Sequence, residues 1–176
     1  PMPLPPPPPP QTGRLARFLL QRAHANPTIA VTLQWYLRSE LDDPSFSSRA
    51  RILLTELARS FERTPIGEAL RRQAYLVSAL RSIAKDLKMS KTKAARATDR
   101  LREILVDPSG SGSGIRNLKV PLPLDPKVML TGIVPNECLC FKSAMLPMRL
   151  SFRFDPRAVD WADMAGHDVF GEEGGR

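Results

Sequence analysis

The sequence contains little of what secreted, metal-binding or membrane-spanning proteins need. It has only two Cys and two His, and its apolar runs are a few residues long. A membrane-spanning helix needs roughly 18 consecutive apolar residues, so we expect no transmembrane helix. The N-terminus has neither the basic segment nor the apolar segment of a signal peptide. We therefore expect a cytoplasmic protein whose contact with membranes is peripheral.

The two cysteines lie two positions apart. Cys138 and Cys140 fall on one face of a predicted strand, where the geometry for a disulfide bond is poor. A metal site would need more ligands than these two, and His24 and His167 show no ligand spacing. We expect free thiols with a structural role and no metal site.

Charge is plentiful but unevenly placed along the chain, which has a formal net charge of +8. Residues 71–102 hold ten Lys or Arg and two Asp, whereas residues 155–176 hold six acids and two Arg. Tyr75 is the one aromatic residue in the basic stretch, and nucleic-acid modules usually add aromatic or glycine-rich readout. Two hypotheses remain, a solvated helix face and a basic helical module that binds anionic membranes or a protein partner, and we expect no nucleic-acid ligand.

Proline is abundant at the N-terminus. A run of prolines begins at Pro5 and ends at Pro10, which favours polyproline II. We interpret residues 1–13 as a disordered tail, and the proline run is also a candidate ligand for a polyproline-binding partner.

Helical spacing of apolar residues dominates residues 14–106. Helices are predicted over 14–25, 28–41 and 48–63, then from Pro65 with Thr64 as its N-cap, with a fifth helix after Ser90. Trp35 and Tyr36 are interpreted as packing residues. The predicted apolar faces are Leu15, Phe18, Leu19 and Ala23; Ile29, Leu33, Tyr36 and Leu37; Leu54, Leu57, Ala58 and Phe61; Ile66, Leu70, Val77, Leu80, Ala84 and Leu87; and Ala94, Leu101, Ile104 and Leu105.

Residues 107–119 are rich in Ser and Gly and are predicted to form a flexible linker. Beyond it, residues 128–134, 138–141 and 150–154 have the composition of strands. The connection at 142–147 offers a cation at Lys142, a hydroxyl and an N–H at Ser143 and a small side chain at Ala144. Such a loop is suited to covering phosphates, although most hairpin connections bind nothing.

Three segments in this order resemble the start of the kinase domain of phosphatidylinositol 3-kinases. They read VPLPLDP at 120–126, TGIVP at 131–135 and FKSAMLP at 141–147, and FLLQRA and WYL upstream resemble the end of that family's accessory helical domain. The likeness is greatest to the class III enzyme, which phosphorylates phosphatidylinositol itself. It implies a mainly α fold, in which the end of a helical bundle or α-solenoid over 14–106 precedes a short antiparallel β hairpin region, an incomplete kinase N-lobe, over 120–154.

The resemblance also implies a function for the intact protein. That function is transfer of the ATP γ-phosphate to the 3-hydroxyl of phosphatidylinositol, with Mg or Mn, at endosomal or autophagic membranes and with regulatory subunits. Lys142, Ser143 and Ala144 would bind the nucleotide phosphates. The strand with the nucleotide lysine, the catalytic loop and an Asp-Phe-Gly motif are not found in the sequence. We therefore expect a fragment with a divergent acidic tail at 155–176 that has no catalytic residue, holds ATP and metal weakly and is inactive alone.

Overall fold

Five α-helices followed by five short antiparallel strands make up the described part of the chain, as the mainly α prediction requires. The computed structural model describes residues 13–90, 96–110, 112–143, 145–157, 159 and 161. The chain divides into two compact units, Pro1–Ser60 and Phe61–Arg176. Within the described residues, no helix combines the length and the apolar character that crossing a membrane requires.

The first two helices are separated by a single residue. Helix α1 (Arg14–Ala25) stops before Asn26, whose backbone is extended, and α2 (Pro27–Ser39) begins immediately after it. Proline disfavours helical geometry in the residue before it and is welcome at the first helical position. The Asn26 side chain accepts a hydrogen bond of 2.9 Å from the Thr28 N–H. Asn26, which separates the two helices, is therefore also the N-cap of α2.

The buried faces predicted for α1 and α2 in the first unit are partly wrong. Leu15 and Phe18 are 70% and 56% exposed, and Tyr36, predicted to pack, is 68% exposed. The buried side of α2 is formed by Ala30, Val31, Leu33 and Gln34, and Tyr36 lies two residues beyond it, which is about half a turn away. Trp35 is half-buried, with the Arg38 guanidinium 5.6 Å from its ring centroid.

Helix α3 (Ser47–Ser60) follows a 3₁₀ turn and contacts α2. Its buried face includes Leu57, which is 1% exposed, and Phe61 just beyond the helix is 2% exposed. These two predicted core positions are confirmed. Ala58 was predicted on the same face but is exposed, and Ala50 and Leu53 are buried instead.

Helix α4 (Pro65–Met89) begins where the sequence predicts. Thr64 has an extended backbone, and its hydroxyl accepts a hydrogen bond of 3.1 Å from the Gly67 N–H. The buried residues farther along α4 are Leu76, Ala79, Ile83 and Leu87, whereas the predicted Val77, Leu80 and Ala84 are only partly buried. Helix α5 (Ala97–Val106) buries Leu101, Ile104 and Leu105 as predicted, and Ala94 lies outside the described residues.

The strands form two small sheets. Strands β1 (Val120–Pro121), β2 (Met129–Ile133) and β5 (Phe152–Asp155) make one antiparallel sheet in the order β1-β2-β5. Strands β3 (Leu139–Cys140) and β4 (Met148–Arg149) form an antiparallel hairpin. The three predicted strand segments are thus confirmed, and the connection between the second and third of them also contains β4.

The predicted flexible linker is wrong in its second half. Ile115 and Leu118 are 0% and 3% exposed and lie in a hydrophobic core with residues of α4, α5, β1, β2 and β3. A Cβ at Gly114 would collide with the Tyr75 hydroxyl, so the small residue is needed for a close approach to α4. Helices α4 and α5 therefore share a core with the strands, and the chain does not divide at residues 107–119.

Three residues of the segment predicted as an acidic tail, Asp155, Val159 and Trp161, have contacts with the rest of the second unit. Asp155 is still part of β5 and pairs with Met129. Val159 and Trp161 pack against the buried residues Ala69 and Met129. Residues 158, 160 and 162–176 lie outside the described part of the chain, and so do residues 1–12 with the proline run.

Candidate nucleotide-phosphate loop

The β3–β4 loop (residues 141–147) joins the two strands of the hairpin. Cys140 and Met148 are paired at the ends of the strands, and the Phe141 N–H donates to the Pro147 carbonyl at 2.9 Å. Inside the loop the Leu146 N–H donates to the Ser143 carbonyl at 3.1 Å, and Leu146 has a φ of 45°. The loop is therefore a turn with its own hydrogen bonds and a left-handed residue before Pro147.

Lys142 and Ser143 are both exposed in this turn. The Ser143 N–H donates to the Phe141 carbonyl at 2.9 Å, so it is already used within the loop. The side-chain groups that Lys142 and Ser143 offer to solvent are an ammonium and a hydroxyl, and both can donate hydrogen bonds to the oxygens of an anionic phosphate. Ala144, the third predicted site residue, lies outside the described residues.

Two apolar side chains flank these polar groups. Phe141 is 52% exposed and Met145 is 71% exposed. Leu146 is partly buried and packs against the hydrophobic core of the unit. The loop is thus anchored at its C-terminal end and presents a mixed polar and apolar surface.

The strand before the loop is held by helix α5. Thr98 accepts a hydrogen bond of 3.0 Å from the Cys140 N–H, and its hydroxyl lies 3.4 Å from the Cys140 carbonyl. One turn farther along α5, the Arg102 Nε donates to the Cys138 carbonyl at 3.1 Å. Sequence reasoning missed both residues, because their partners lie 36 to 42 positions away.

Both thiols are buried, as predicted for structural cysteines, and both are free. Burial raises the pKa of the Cys138 thiol, and burial together with the charge of Cys138 raises the pKa of the Cys140 thiol. Cys138 Sγ lies 3.3 Å from the Val134 carbonyl, and Cys140 Sγ lies 3.5 Å from the Ala97 carbonyl. Thiols that stay protonated are poor nucleophiles and poor metal ligands, so their role here is packing.

A metal ion in a protein is held by a cluster of ligating side chains. The described residues contain no group of three or more His, Cys, Asp or Glu that could hold a metal ion. The exposed cation and hydroxyl of the β3–β4 loop are chemically suited to a phosphate group, and the part of the chain that the structure describes shows no such cluster for a Mg or Mn ion.

Some basic residues of the stretch at 71–102 are exposed to solvent, and others form ion pairs or hydrogen bonds within the protein. Arg81, Lys85 and Lys88 are exposed at i, i+4 and i+7 on one side of α4, and we call these three residues the basic face. Arg100 pairs with Glu103 at 3.0 Å on α5. Lys91 and Lys93 lie outside the described residues.

Arg72, one of the ten basic residues of this stretch, is buried, with 2% of its surface exposed. Its Nε donates to Glu68 at 2.7 Å and its Nη1 donates to the Lys119 carbonyl at 3.1 Å. The neighbouring Gln73 donates to the Pro121 carbonyl at 2.9 Å. These polar side chains connect α4 to residues 119–121. The Glu68–Arg72 pair was not predicted from the sequence, although its i, i+4 spacing is a signal that could have indicated it.

Comparison with known proteins agrees with the resemblance found in the sequence. Residues 8–69 match the phosphoinositide 3-kinase family accessory domain, or PIK domain. Phosphatidylinositol 3-kinase pik3 of Schizosaccharomyces pombe is 37% identical over 155 residues, which is 86% of this chain and 19% of that protein. The root isoform of phosphatidylinositol 3-kinase of Glycine max is 34% identical over 153 residues, 80% of this chain and 18% of the relative.

A third relative is phosphatidylinositol 3-kinase VPS34 of Arabidopsis thaliana, which is 32% identical over 151 residues, or 79% of this chain and 18% of the relative. The chain spans less than a fifth of the length of each of these three relatives. The matches run through both compact units, since they cover about four fifths of the chain or more, and the five helices and short antiparallel strands agree with them. The chain therefore belongs to the phosphatidylinositol 3-kinase family, with residues 8–69 in its accessory domain.

Proposed function

We propose that this chain is the part of a class III phosphatidylinositol 3-kinase in which the accessory helical domain leads into the kinase N-lobe. The whole enzyme would transfer the γ-phosphate of ATP to the 3-hydroxyl of phosphatidylinositol, with Mg or Mn. Its place would be the cytoplasmic side of endosomal or autophagic membranes, together with regulatory subunits. Support comes from the phosphatidylinositol 3-kinases that match most of the chain.

The contribution of this chain would be a cover over the nucleotide phosphates. The observation that carries this proposal is the β3–β4 loop, in which Lys142 and Ser143 are exposed at the turn of an anchored hairpin. Lys142 would supply a positive charge and Ser143 a hydroxyl donor to the phosphate oxygens. The Ser143 N–H would join them only after it leaves the Phe141 carbonyl, and Ala144 would allow the close approach of the backbone.

The chain alone would transfer no phosphate. In phosphoryl transfer, metal ions and well-placed cations supply most of the stabilisation of the transition state. The described residues hold no group of three or more His, Cys, Asp or Glu that could hold a metal ion, so the metal ligands would come from outside the described residues. Nucleotide binding to the loop alone would be weak, about millimolar, which corresponds to about 4 kcal/mol.

A fluorescent ATP analogue tests the phosphate cover. Lys142→Ala should weaken its binding to the chain by about threefold to tenfold, as expected for loss of one exposed charge-assisted contact. Lys127→Ala is the matched control, because Lys127 is an exposed lysine of the β1–β2 connection. Equal binding by the two variants would contradict the proposal.

A second function is favoured by the basic face. Arg81, Lys85 and Lys88 have no ion-pair partner among the described residues, and Met89 beside them is 70% exposed. Exposed cations next to an apolar side chain suit the surface of an anionic membrane, where each Lys or Arg contributes about 1 kcal/mol at low salt. This face would bring the enzyme close to its lipid, or would dock an acidic protein partner.

Vesicle sedimentation tests the basic face. The chain should bind vesicles that contain phosphatidylserine and phosphatidylinositol, release them as salt rises, and ignore phosphatidylcholine vesicles and RNA. The double change Lys85→Glu and Lys88→Glu should abolish this binding, whereas Arg49→Glu on the exposed side of α3 should reduce it far less. Binding that persists in the double variant, or that prefers RNA, would refute this function.

A further inference from the structure

We propose that Thr98 and Arg102 of helix α5 are positioning residues that hold the β3–β4 loop in place. The proposal rests on the proposed phosphate-covering role of that loop for its consequence in nucleotide binding. Helix α5 would then have a role beyond packing, because its position would determine the position of the loop groups that meet the phosphates.

The hairpin cannot hold the loop by its own hydrogen bonds. Its strands contain two residues each, Leu139–Cys140 and Met148–Arg149. Isolated two-stranded hairpins are marginally stable in water even when they are longer. The loop therefore needs an anchor outside the hairpin.

Helix α5 provides that anchor at the edge of β3. The Phe141 N–H points toward β4 and donates to Pro147, whereas the Cys140 N–H points to the other edge and donates to Thr98 at 3.0 Å. Alternate residues of a strand direct their N–H groups to opposite edges, so Thr98 occupies the place that a neighbouring strand would take. Arg102 occupies the next place along this edge, where its Nε lies 3.1 Å from the Cys138 carbonyl.

The two positions form one contact surface. Thr98 and Arg102 are four residues apart and hence lie on the same side of α5. Beside them, Ala97 and Leu101 are both 0% exposed and share the hydrophobic core with Cys138 and Cys140. A shift of α5 along or around its axis must therefore move the backbone of β3, and the loop begins at the residue that follows Cys140.

Amide hydrogen exchange in the full 176-residue chain tests the anchor without any nucleotide. Thr98→Val removes the hydroxyl at nearly constant volume, and the Phe141 and Leu146 amides should then exchange about tenfold faster, as expected for loss of one hydrogen bond. The Leu122 amide, which bonds to the Val128 carbonyl at 2.8 Å in the β1–β2 connection, should keep its rate.

Three further variants complete the exchange experiment. Thr98→Ser keeps the hydroxyl and should restore slow exchange at Phe141 and Leu146. Thr55→Val removes an exposed hydroxyl that bonds only to Arg51 of its own helix, so it should leave the loop amides unchanged. Arg102→Met, at a half-exposed position, should accelerate the same loop amides and decides the question should Thr98→Val fail to fold.

The outcomes separate this inference from the proposed function. Unchanged exchange at Phe141 and Leu146, or equal acceleration at Leu122, would overturn the positioning role. Binding of the fluorescent ATP analogue should weaken in Thr98→Val and recover in Thr98→Ser. If Lys142→Ala leaves that binding unaffected, the phosphate-covering role fails, and the exchange rates still decide whether α5 anchors the loop.

Discussion

At the scale of a single residue, Glu68 shows how ion pairs on α4 change the pKa of a partly buried carboxyl. Burial alone raises the pKa of this carboxyl, but hydrogen bonds and attraction from Arg72 and Arg71 outweigh burial and bring the pKa below its ordinary value of 4.5. Arg72 is buried at the same time, so each charge makes the burial of the other tolerable. Removal of the Glu68 carboxylate would take the charged partner at 2.7 Å away from the buried Arg72 guanidinium.

This arrangement predicts the direction of a pH effect. The folded carboxyl binds a proton less readily than the unfolded one, so protonation favours unfolding. The contribution of Glu68 to stability is therefore full above its ordinary pKa of 4.5 and is lost as the pH falls below that value.

Glu68→Gln tests this effect by urea denaturation. The variant should be less stable than the parent chain near about pH 7 and should lose less further stability between about pH 7 and about pH 3.5. Glu56→Gln, which removes an exposed ion pair with Arg59, is the control and should alter the pH dependence less. A parallel fall for the parent chain and Glu68→Gln would contradict the assignment.

At the scale of the secondary-structure elements, the start of helix α4 is determined by a local signal, the N-cap residue Thr64. Thr64 caps it, since its hydroxyl accepts from the Gly67 N–H and donates to the Phe61 carbonyl at 2.8 Å. Thr64→Ala should lower the unfolding free energy by about 1 kcal/mol, whereas Thr64→Ser should retain most of it. Thermal melts of both variants by circular dichroism make the comparison, and equal losses in the two would show that the hydroxyl does not matter.

The starts of helices could be predicted from the sequence, whereas contacts between distant elements could not. The starts of α2 and α4 were predictable because Asn26-Pro27 and Thr64-Pro65 act on their own neighbours. The anchoring of β3 by Thr98 was not predictable, because it joins residues 42 positions apart and neither has an unusual local pattern.

The candidate site likewise has features that the sequence predicted and features that it did not. A connection that contains Lys142 and Ser143 followed from the strand pattern on either side, and the structure places both residues in an exposed turn. The bond from the Ser143 N–H to Phe141 depends on the backbone conformation of the turn, which the residue types do not determine. The binding of phosphate by these residues stays a prediction.

For the whole molecule, the shared core of α4, α5 and the strands changes how the chain is expected to unfold. The Ser/Gly composition of residues 107–119 predicted separate helical and strand parts. Instead, Ile115 and Leu118 are buried with residues of both. The second compact unit should therefore lose its helices and strands in one transition.

Ile115→Ala tests this expectation. It should lower the unfolding free energy of the second unit by about 2–5 kcal/mol, whereas Val106→Ala, at a 46% exposed position, should stay within about 0.5 kcal/mol. Trp161, which packs against Ala69 and Met129, serves as the fluorescent probe in a Trp35→Phe background. No effect of Ile115→Ala would mean that residues 107–119 are the flexible linker that their composition predicted.

A titration with nucleotide, followed by amide chemical shifts, shows whether the β3–β4 loop meets the phosphates of ATP. Mg-ATP should shift the amides of Lys142, Ser143 and Leu146 with a dissociation constant of about millimolar, and adenosine, which lacks phosphates, should shift them far less. Lys142→Ala should weaken the response to Mg-ATP. Shifts that are equal for adenosine and Mg-ATP, or that lie outside residues 141–147 altogether, would show that this loop does not bind the phosphates.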